Sequence, residues 1–326
     1  MKAVLETPNK KTNKLEIIDV HSPIVALEDV LIRVKSIGIN RPDILQKKGK
    51  YARPPGSSPI LGLEVSGVIE EIGENVHFLN VGDKVCGLAP GGGYAEKVVV
   101  PAAHCIKMPV NLTFPQAACL PEVFVTAWAN LIELGKLKTG SSVLIHGGSS
   151  GVGMAAIQLA KWKGSFVYTT VRNKKKAEFC KKIGADKAIL YPEINFHDFI
   201  MDQTYGHGVD VILDMVGGDY TNLNLKCLTI GGTLVQIAFI KGFRNEVNFI
   251  PLLLKRLTIT GSTIRARSFS DKHRIIQLLK KYIWPEIERG RIKPYIFKEF
   301  SFKQINEAHE LMESSIHCGK LVINLD

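Results

Sequence analysis

Residues 143–161 read "VLIHGGSSGVGMAAIQLAK": an apolar run, a turn rich in glycine and serine, and an amphipathic run. The turn carries a G-x-x-G-x-G pattern between a predicted strand and a predicted helix. Glycine permits positive φ, lets a pyrophosphate approach the backbone and lets the helix pack closely on the strand, while the helix N-terminus offers free N–H groups to the anion. This pattern predicts a dinucleotide-binding turn, although a purely structural turn is the alternative. The predicted contacts of the turn are Gly148, Ser150, Gly151, Val152 and Gly153.

The region around this turn, from Ser142 to about Thr263, alternates strand-like and helix-like segments. The apolar runs are "SVLIHG", "FVYTTV", "KAIL", "VDVILDMV", "GTLVQIAF" and "LTITGSTI". Parallel strands need long return connections and are covered on both faces, so six such runs with helices between them indicate a parallel sheet. The fold class is therefore α/β, a Rossmann-type doubly wound parallel sheet.

The rest of the chain reads differently. The first 120 residues or so contain short alternating runs broken by turn residues, which predict a compact β-rich domain. The last strand, "GKLVINL", alternates in the same way, so we expect the C-terminal tail to return to the first domain. The predicted division is 1–122 for the first part of the β-rich domain, 123–268 for the Rossmann domain and 269–326 for the return.

The choice of dinucleotide depends on the end of the second Rossmann strand, where an NAD-binding protein usually has an acidic residue that holds the ribose 2′-OH. This chain has "YTTVRNKKK" there and no acid. Cations beside a 2′-phosphate favour NADPH, because a charge-assisted hydrogen bond contributes roughly 1.5–3 kcal/mol. Arg172, Asn173 and Lys176 are the predicted contacts, whereas Lys174 and Lys175 are expected to face water.

Composition limits the function classes. With 45% hydrophobic and 22% charged residues, the 326-residue chain has the make-up of a globular protein of two domains. No stretch reads as a membrane span and the N-terminus lacks a signal-peptide pattern, so a cytoplasmic protein is expected. The six cysteines are scattered without zinc-finger spacing and are expected to be reduced and mostly buried. The net charge of +11 leaves nucleic acid open as a partner, but the basic residues form no aromatic-interleaved stripe.

Several long segments together resemble the medium-chain dehydrogenase/reductase superfamily and, within it, the zeta-crystallin-like NADPH:quinone oxidoreductases, above all the branch that a tumour suppressor induces in animals. The segments are "GINRPDILQKKGKYARPPGSSPILGLEVSGVIEEIG", "LPEVFVTAWANL", "DVILDMVGGDY" and "INEAHELMES". The resemblance covers nearly the whole chain. It implies a GroES-like catalytic domain, NADPH bound across a cleft between the domains, and a homodimer joined near "LTITGSTI".

Two zinc ligands of the alcohol-dehydrogenase branch are missing. The family cysteine falls at or beside Asn40, and the family G-H-E histidine corresponds to Leu63. Since a catalytic zinc needs three protein ligands, we predict no metal and a substrate that accepts hydride with little help. A quinone fits this requirement, and so does an enone or 2-alkenal. A non-enzymatic, NADPH-bound structural or RNA-binding protein is the third alternative.

The resemblance also implies site residues. Asn40 would orient a carbonyl and Tyr51 would donate to a quinone oxygen, although each is also a natural turn or loop residue. Thr126 and Tyr191 would lie near the cofactor. By contrast, His146 and Asp214 are interpreted as structural. The end of the fifth Rossmann strand, where ligands bind, adds Ala238, Phe239 and Ile240.

Overall fold

The structure, a computed structural model, describes residues 1–6 and 14–325. The chain divides into two compact units: unit 1 comprises Met1–Val125 and Arg265–Asp326, and unit 2 comprises Thr126–Ile264. The boundaries predicted from the sequence fall after residues 122 and 268.

The strands, in chain order, are β1 (Lys2–Glu6), β2 (Leu15–Asp19), β3 (Asp29–Ile39), β4 (Glu64–Ile72), β5 (Lys84–Leu88), β6 (Lys97–Pro101), β7 (Cys105–Lys107), β8 (Ser142–His146), β9 (Phe166–Val171), β10 (Lys187–Leu190), β11 (Val209–Asp214), β12 (Leu228–Gln236), β13 (Thr258–Gly261), β14 (Ile296–Ser301) and β15 (Lys320–Asn324).

The α-helices are α1 (Arg41–Lys47), α2 (Phe114–Ala117), α3 (Pro121–Ala127), α4 (Gly151–Trp162), α5 (Lys174–Lys182), α6 (Phe196–Gln203), α7 (Tyr220–Cys227), α8 (Ile250–Leu254), α9 (Phe269–Tyr282), α10 (Trp284–Glu288) and α11 (Ile305–Ser314). A π-helical segment, Trp128–Leu134, follows α3, and short 3₁₀ turns cover Ala102–His104 and Phe302–Gln304.

Unit 1 is built on a seven-stranded sheet in the order β14-β15-β3-β4-β5-β7, with β6 paired to β3. A two-stranded sheet of β1 and β2 completes it. The terminal strand β15 pairs antiparallel with β3, so Leu321 lies opposite Ile39 and Ile323 opposite Ile37. The prediction that the C-terminal tail returns to the N-terminal β-rich domain is therefore confirmed. The buried side chains of these strands form one hydrophobic core, in which Ile32, Ile37 and Val65 are inaccessible.

Unit 2 is a parallel sheet of six strands in the order β10-β9-β8-β11-β12-β13. All six strands predicted from the sequence are present, and the order reverses between β8 and β11, as in a doubly wound fold. The apolar strand residues build a separate core that includes Leu144, Ile212 and Leu234. The α/β fold class is confirmed.

The expectation that no stretch is long and apolar enough for a membrane span is wrong by length and composition. The consecutive helical segments over Phe114–Leu134, 21 residues in all, are long and apolar enough to cross a membrane by length and composition. Of the apolar window within them, 72% is buried, which is the behaviour of a core helix, so the stretch is weak evidence for a membrane span. The expectation of buried, reduced cysteines is confirmed, since all six are buried and free.

Candidate functional site

The glycine-rich turn of unit 2 connects β8 to α4. Gly147 begins the turn with φ +67°, a conformation that residues with a Cβ rarely adopt. A Cβ on Gly153 would collide with Gly147 O and lie 2.6 Å from Gly148 Cα, so this glycine lets the helix approach the turn. A Cβ on Gly148 would collide with the Thr169 hydroxyl of β9. Packing within unit 2 therefore requires both of these predicted glycines.

The first turn of α4 has the features of an anion-binding helix N-terminus. Ser150 is the N-cap, and its Oγ accepts a hydrogen bond from Gly153 N at 3.0 Å. The backbone N–H groups of Gly151 and Val152 have no acceptor among residues 1–6 and 14–325. These two donors, together with the helix dipole, fit a phosphate group. The Ser150 hydroxyl, which the sequence assigned to the cofactor, is used to cap the helix.

The cationic segment after β9 is also positioned by α5. Asn173 caps this helix by accepting a hydrogen bond from Lys176 N at 3.0 Å, so its side chain has a structural role as well as a predicted cofactor role. Arg172 Nε donates to Tyr191 Oη at 3.1 Å, which brings together two residues predicted for the adenosine phosphate end. This hydrogen bond raises the pKa of Arg172 further. Lys174 and Lys175 are exposed, and Lys176 is half-buried.

A hydrogen-bonded network lies behind this edge of the sheet. His146 is completely buried, with Nδ1 2.9 Å from Thr170 Oγ1 and Nε2 2.7 Å from Asn224 Oδ1. Burial lowers its pKa. Asp214 is also completely buried and accepts hydrogen bonds from Asn224 Nδ2 at 3.0 Å and Val216 N at 2.6 Å. The structural interpretation of both residues is confirmed.

The remaining predicted residues of unit 2 are less well defined as a site. Thr126 begins the unit, and its carbonyl accepts a hydrogen bond from Asn130 Nδ2 at 2.8 Å. Strand β12 ends at Gln236, so Ala238, Phe239 and Ile240 lie in the loop just beyond it. The Phe239 and Ile240 side chains are largely exposed, although the Phe239 ring lies next to Gly217.

The first candidate site in unit 1 is a buried ionic cluster around Asn40. Lys320 Nζ donates to Asn40 Oδ1 at 2.6 Å, to Ile39 O at 2.8 Å and to Glu64 Oε1 at 2.7 Å. Asn40 Nδ2 donates to the same Glu64 oxygen at 2.9 Å and to Gly38 O at 3.2 Å. Both hydrogens of this amide are therefore used inside unit 1. As the cluster stands, Asn40 orients Glu64 and Lys320, and its role towards a substrate carbonyl stays a prediction.

A second buried group continues from the start of α1. Asp43 Oδ2 accepts hydrogen bonds from Asn40 N at 2.8 Å and from Tyr94 Oη at 3.0 Å, and Tyr94 Oη lies 3.1 Å from His309 Nε2. Burial raises the pKa of Asp43 to about 6 and lowers the pKa of His309 to about 3. At neutral pH His309 is therefore uncharged, and Asp43 is mostly ionised in the core.

Tyr51, the second residue predicted for the substrate, is half-buried on the loop after α1. The guanidinium carbon of Arg265 stands 5.4 Å from its ring centroid, a cation–π distance. Arg265 also donates to Gln46 Oε1 and to Pro90 O. Burial lowers the pKa of Arg265, and electrostatic interaction with Tyr51 is the largest opposing influence. The structure thus places a cation against the phenol.

Sequence reasoning missed the charged residues that build unit 1's candidate site. Lys320 lies in the apolar strand "GKLVINL", and a lysine in a buried strand was a signal for a buried partner. Glu64 was noted only as the acid of the family G-H-E motif, in which Leu63 replaces the histidine. No local sequence pattern indicated that Arg265 belongs to this site, because its neighbours Tyr51 and Gln46 are more than 200 residues away in sequence.

A glycine-rich turn whose free N–H groups fit a phosphate, on a doubly wound parallel sheet, and a separate β-rich unit are the features of an oxidoreductase of the medium-chain dehydrogenase/reductase class. Two family models match this chain: "Alcohol dehydrogenase GroES-like domain" over residues 27–110 and "Zinc-binding dehydrogenase" over residues 151–281. A quinone oxidoreductase-like protein 2 homolog from Nematostella vectensis is 34% identical over 300 residues, which cover 90% of this chain and 81% of that protein. The chain belongs to the quinone oxidoreductase-like family of this superfamily.

Two solved structures show the same fold over the full length. Escherichia coli quinone oxidoreductase complexed with NADPH has a TM-score of 0.89 and 26% identity, with coverage of 100% of both chains. The CurK enoyl reductase has a TM-score of 0.88 and 26% identity, with coverage of 100% of this chain and 99% of that one. The finer resemblance to the tumour-suppressor-inducible branch stays a prediction.

Proposed function

We propose that this protein is an NADPH-dependent quinone reductase that transfers hydride without a metal. The observation that carries the proposal is the donor set around Asn40. The positions that hold zinc ligands in alcohol dehydrogenases are taken by Asn40 and Leu63, and neither supplies a thiolate or an imidazole. The Lys320 ammonium also lies 2.6 Å from Asn40 Oδ1, and this charge opposes a second cation there.

A catalytic zinc therefore does not fit these residues. Among the described ranges, no group of three or more His, Cys, Asp or Glu side chains is arranged to hold a metal ion. An acceptor that needs no Lewis acid is the consistent substrate, and a quinone is the strongest candidate because its relatives here are named for it. Without a metal to polarise the substrate, we expect the protein to reduce only acceptors that are themselves strongly electrophilic.

The preference for NADPH is supported by unit 2. The Gly151 and Val152 N–H groups fit a pyrophosphate, and the cation of Arg172, which donates to Tyr191, supports the proposal of a 2′-phosphate contact. Asn173 follows Arg172 where an acidic residue would favour NAD. When bound, the nicotinamide supplies the hydride. The chain's own residues orient the two reactants, exclude water and supply one proton.

Reduction of an enone or a 2-alkenal is the second candidate. The specific observation in its favour is the similarity to the CurK enoyl reductase over the whole chain. Such a reaction places hydride on the β-carbon and a proton on the α-carbon. It uses the same cofactor and likewise needs an acceptor that is electrophilic enough to take hydride without a metal. The two reactions differ only in the shape of the acceptor and in the atom of the acceptor that receives the proton.

The experiment is the oxidation of NADPH against a panel of ortho- and para-quinones, enones and enals, with NADH run in parallel. Turnover of quinones with a preference for NADPH supports the proposal, and turnover of enals alone supports the second candidate. Tight NADPH binding without turnover of any acceptor contradicts both, and a salt-dependent RNA-binding assay then tests the non-enzymatic alternative.

Two further properties belong to this proposal. A homodimer would pair through β13, the edge strand of unit 2, where Ile259 is 40% exposed. Light scattering of wild type and Ile259→Lys tests it, because a lysine on an edge strand opposes pairing. A cytoplasmic location is also proposed and is tested by fractionation.

A further inference from the structure

A carboxyl group of unit 1 stands without a hydrogen-bond donor. Glu122 is the second residue of α3 and is half-buried. Its backbone N–H donates to Glu64 Oε2 at 2.9 Å, but its own carboxyl oxygens accept no hydrogen bond from any residue in the described ranges. A half-buried carboxyl group without a protein donor can form a hydrogen bond with a bound molecule.

Glu122 is connected to both residues that were predicted for the substrate. Through Glu64 it is linked to Asn40, whose Nδ2 donates to the opposite oxygen of the same carboxylate at 2.9 Å. Through Arg265 it is linked to Tyr51, because the guanidinium stands over the Tyr51 ring and also experiences the charge of Glu122. Hydrogen bonds through Glu64 therefore join Glu122 to Asn40, and Arg265 is a cation shared electrostatically by Glu122 and Tyr51.

A second observation at this place points to a ligand. Arg265 is only 8% exposed, and its Nε has no hydrogen-bond partner among the described residues. A buried guanidinium donor left open is costly unless something accepts from it. A carbonyl oxygen or the oxyanion formed from it is a matching acceptor, since guanidinium binds such oxygens well.

The charges that face Glu122 come from five places. Glu64 on β4 and Asp43 on α1 oppose its ionisation, whereas Lys320 on β15 and Lys272 on α9 favour it. Arg265, just before α9, is a further cation in range. Burial is the largest influence, followed by Glu64, and the pKa of Glu122 is raised to about 8.

We propose that the Glu122 carboxylic acid is the proton donor of the reaction, delivering its proton to the oxygen of the reduced acceptor. This rests on the proposed function. The step balances: a bound nicotinamide would supply the hydride, two electrons and one hydrogen, which becomes the hydrogen of one hydroxyl of the hydroquinone. The Glu122 O–H bond breaks and its proton forms the O–H bond of the second hydroxyl. The Glu122 carboxylate then takes up a proton from solvent before the next turnover.

The test compares wild type with Glu122→Gln, Glu122→Asp and Glu74→Gln. Glutamine keeps the shape of the side chain and leaves the backbone bond to Glu64 intact but has no acidic proton. Glu74 is an exposed residue of the same unit, so its variant is the matched control. Two readouts are recorded: the infrared carbonyl band of protonated carboxylic acids as a function of pH, and steady-state kinetics with NADPH and a quinone.

The infrared readout reports on the proton without requiring activity. We expect a carboxylic-acid band that is present at neutral pH, disappears around pH 8 and is missing in Glu122→Gln but kept in Glu74→Gln. If the wild-type spectra show Glu122 already ionised at pH 7, the proposal is overturned. Failure of the wild type to turn over any acceptor would instead contradict the proposed function, and the band would still report the state of Glu122.

The kinetic readout reports on the role. We expect Glu122→Gln to lower kcat by about 100-fold or more, the usual effect of losing a general acid, with KM for the quinone little changed. Wild-type kcat should fall about tenfold per pH unit above pH 8, and this dependence should vanish in Glu122→Gln. Glu122→Asp should recover part of the activity together with a pH dependence. Equal kcat in wild type and Glu122→Gln would overturn the proposal.

Discussion

Replacing Lys320 with methionine tests whether the buried ionic cluster stabilises unit 1. The Lys320 side chain is 2% exposed and uses all three of its donors, on Ile39 O, Asn40 Oδ1 and Glu64 Oε1. Methionine fills similar volume but donates nothing. The variant therefore leaves the completely buried Glu64 with only Asn40 Nδ2 and Glu122 N as donors.

The size of the loss follows from this geometry. Removing one partner of a buried ion pair costs about 3–5 kcal/mol, because the remaining charge stays buried without compensation. Two further acceptors, Ile39 O and Asn40 Oδ1, also lose a donor, which places Lys320→Met at the upper end of that range. A whole protein has only about 5–15 kcal/mol of stability, so the loss would be a large fraction of the total.

The assay is urea unfolding together with hydrogen exchange of peptides from β3 and β15, the strands that flank the cluster. Exchange resolves unit 1 from unit 2, which matters because a chain of two units need not unfold in one step. The control is Glu70→Gln, which breaks the partly exposed bridges of Glu70 to Arg33 and Lys97; about 1 kcal/mol or less is expected for each.

A double variant distinguishes charge from packing. In Lys320→Met/Glu64→Gln the carboxylate bound by Lys320 is replaced by a neutral amide, although Asp43 still loses the attraction of Lys320, so we expect part of the lost stability to return. The reasoning is refuted if Lys320→Met lowers the free energy of unfolding by no more than Glu70→Gln does, or if the double variant is less stable than Lys320→Met.

Three other predictions concern the cofactor site and the core. Arg172→Ala should weaken NADPH binding roughly 10- to 100-fold, the loss of one charge-assisted phosphate contact, and should leave NADH binding nearly unchanged; calorimetry with both cofactors measures this, and an equal loss for both contradicts the assignment. Gly153→Ala should destabilise unit 2 and abolish cofactor binding, since its Cβ would collide with Gly147 O; an unchanged melting temperature and affinity would disprove this. The pKa of Asp43 is raised from 3.8 to about 6 by burial, so the folded state binds its proton more tightly than the unfolded state. Stability should therefore fall as pH rises from about 4 to about 6, and Asp43→Asn should flatten this slope in urea titrations at several pH values.

The sequence alone determined the architecture of unit 2. Parallel strands buried on both faces are largely apolar, and the inner strands β8 and β11 carry this mark locally, whereas the edge strand β13 is mostly exposed. The glycines of the β8–α4 turn are likewise local requirements, because positive φ at Gly147 and the close approach at Gly153 concern neighbouring residues. Such features are written in short windows and can be read without knowing the rest of the chain.

The tertiary structure alone decided what the polar residues of unit 1 do. Asn40 was chosen for a substrate, but its amide bonds Glu64, 24 residues away, and Lys320, 280 residues away. No local pattern reports contacts over such separations, because they arise only when β3, β4 and β15 meet in one sheet. Arg265 over Tyr51 and the unpaired carboxyl of Glu122 are of the same kind. Local sequence fixes strands, helices and turns, whereas the ionisation and the partners of a buried charge depend on which distant elements enclose it.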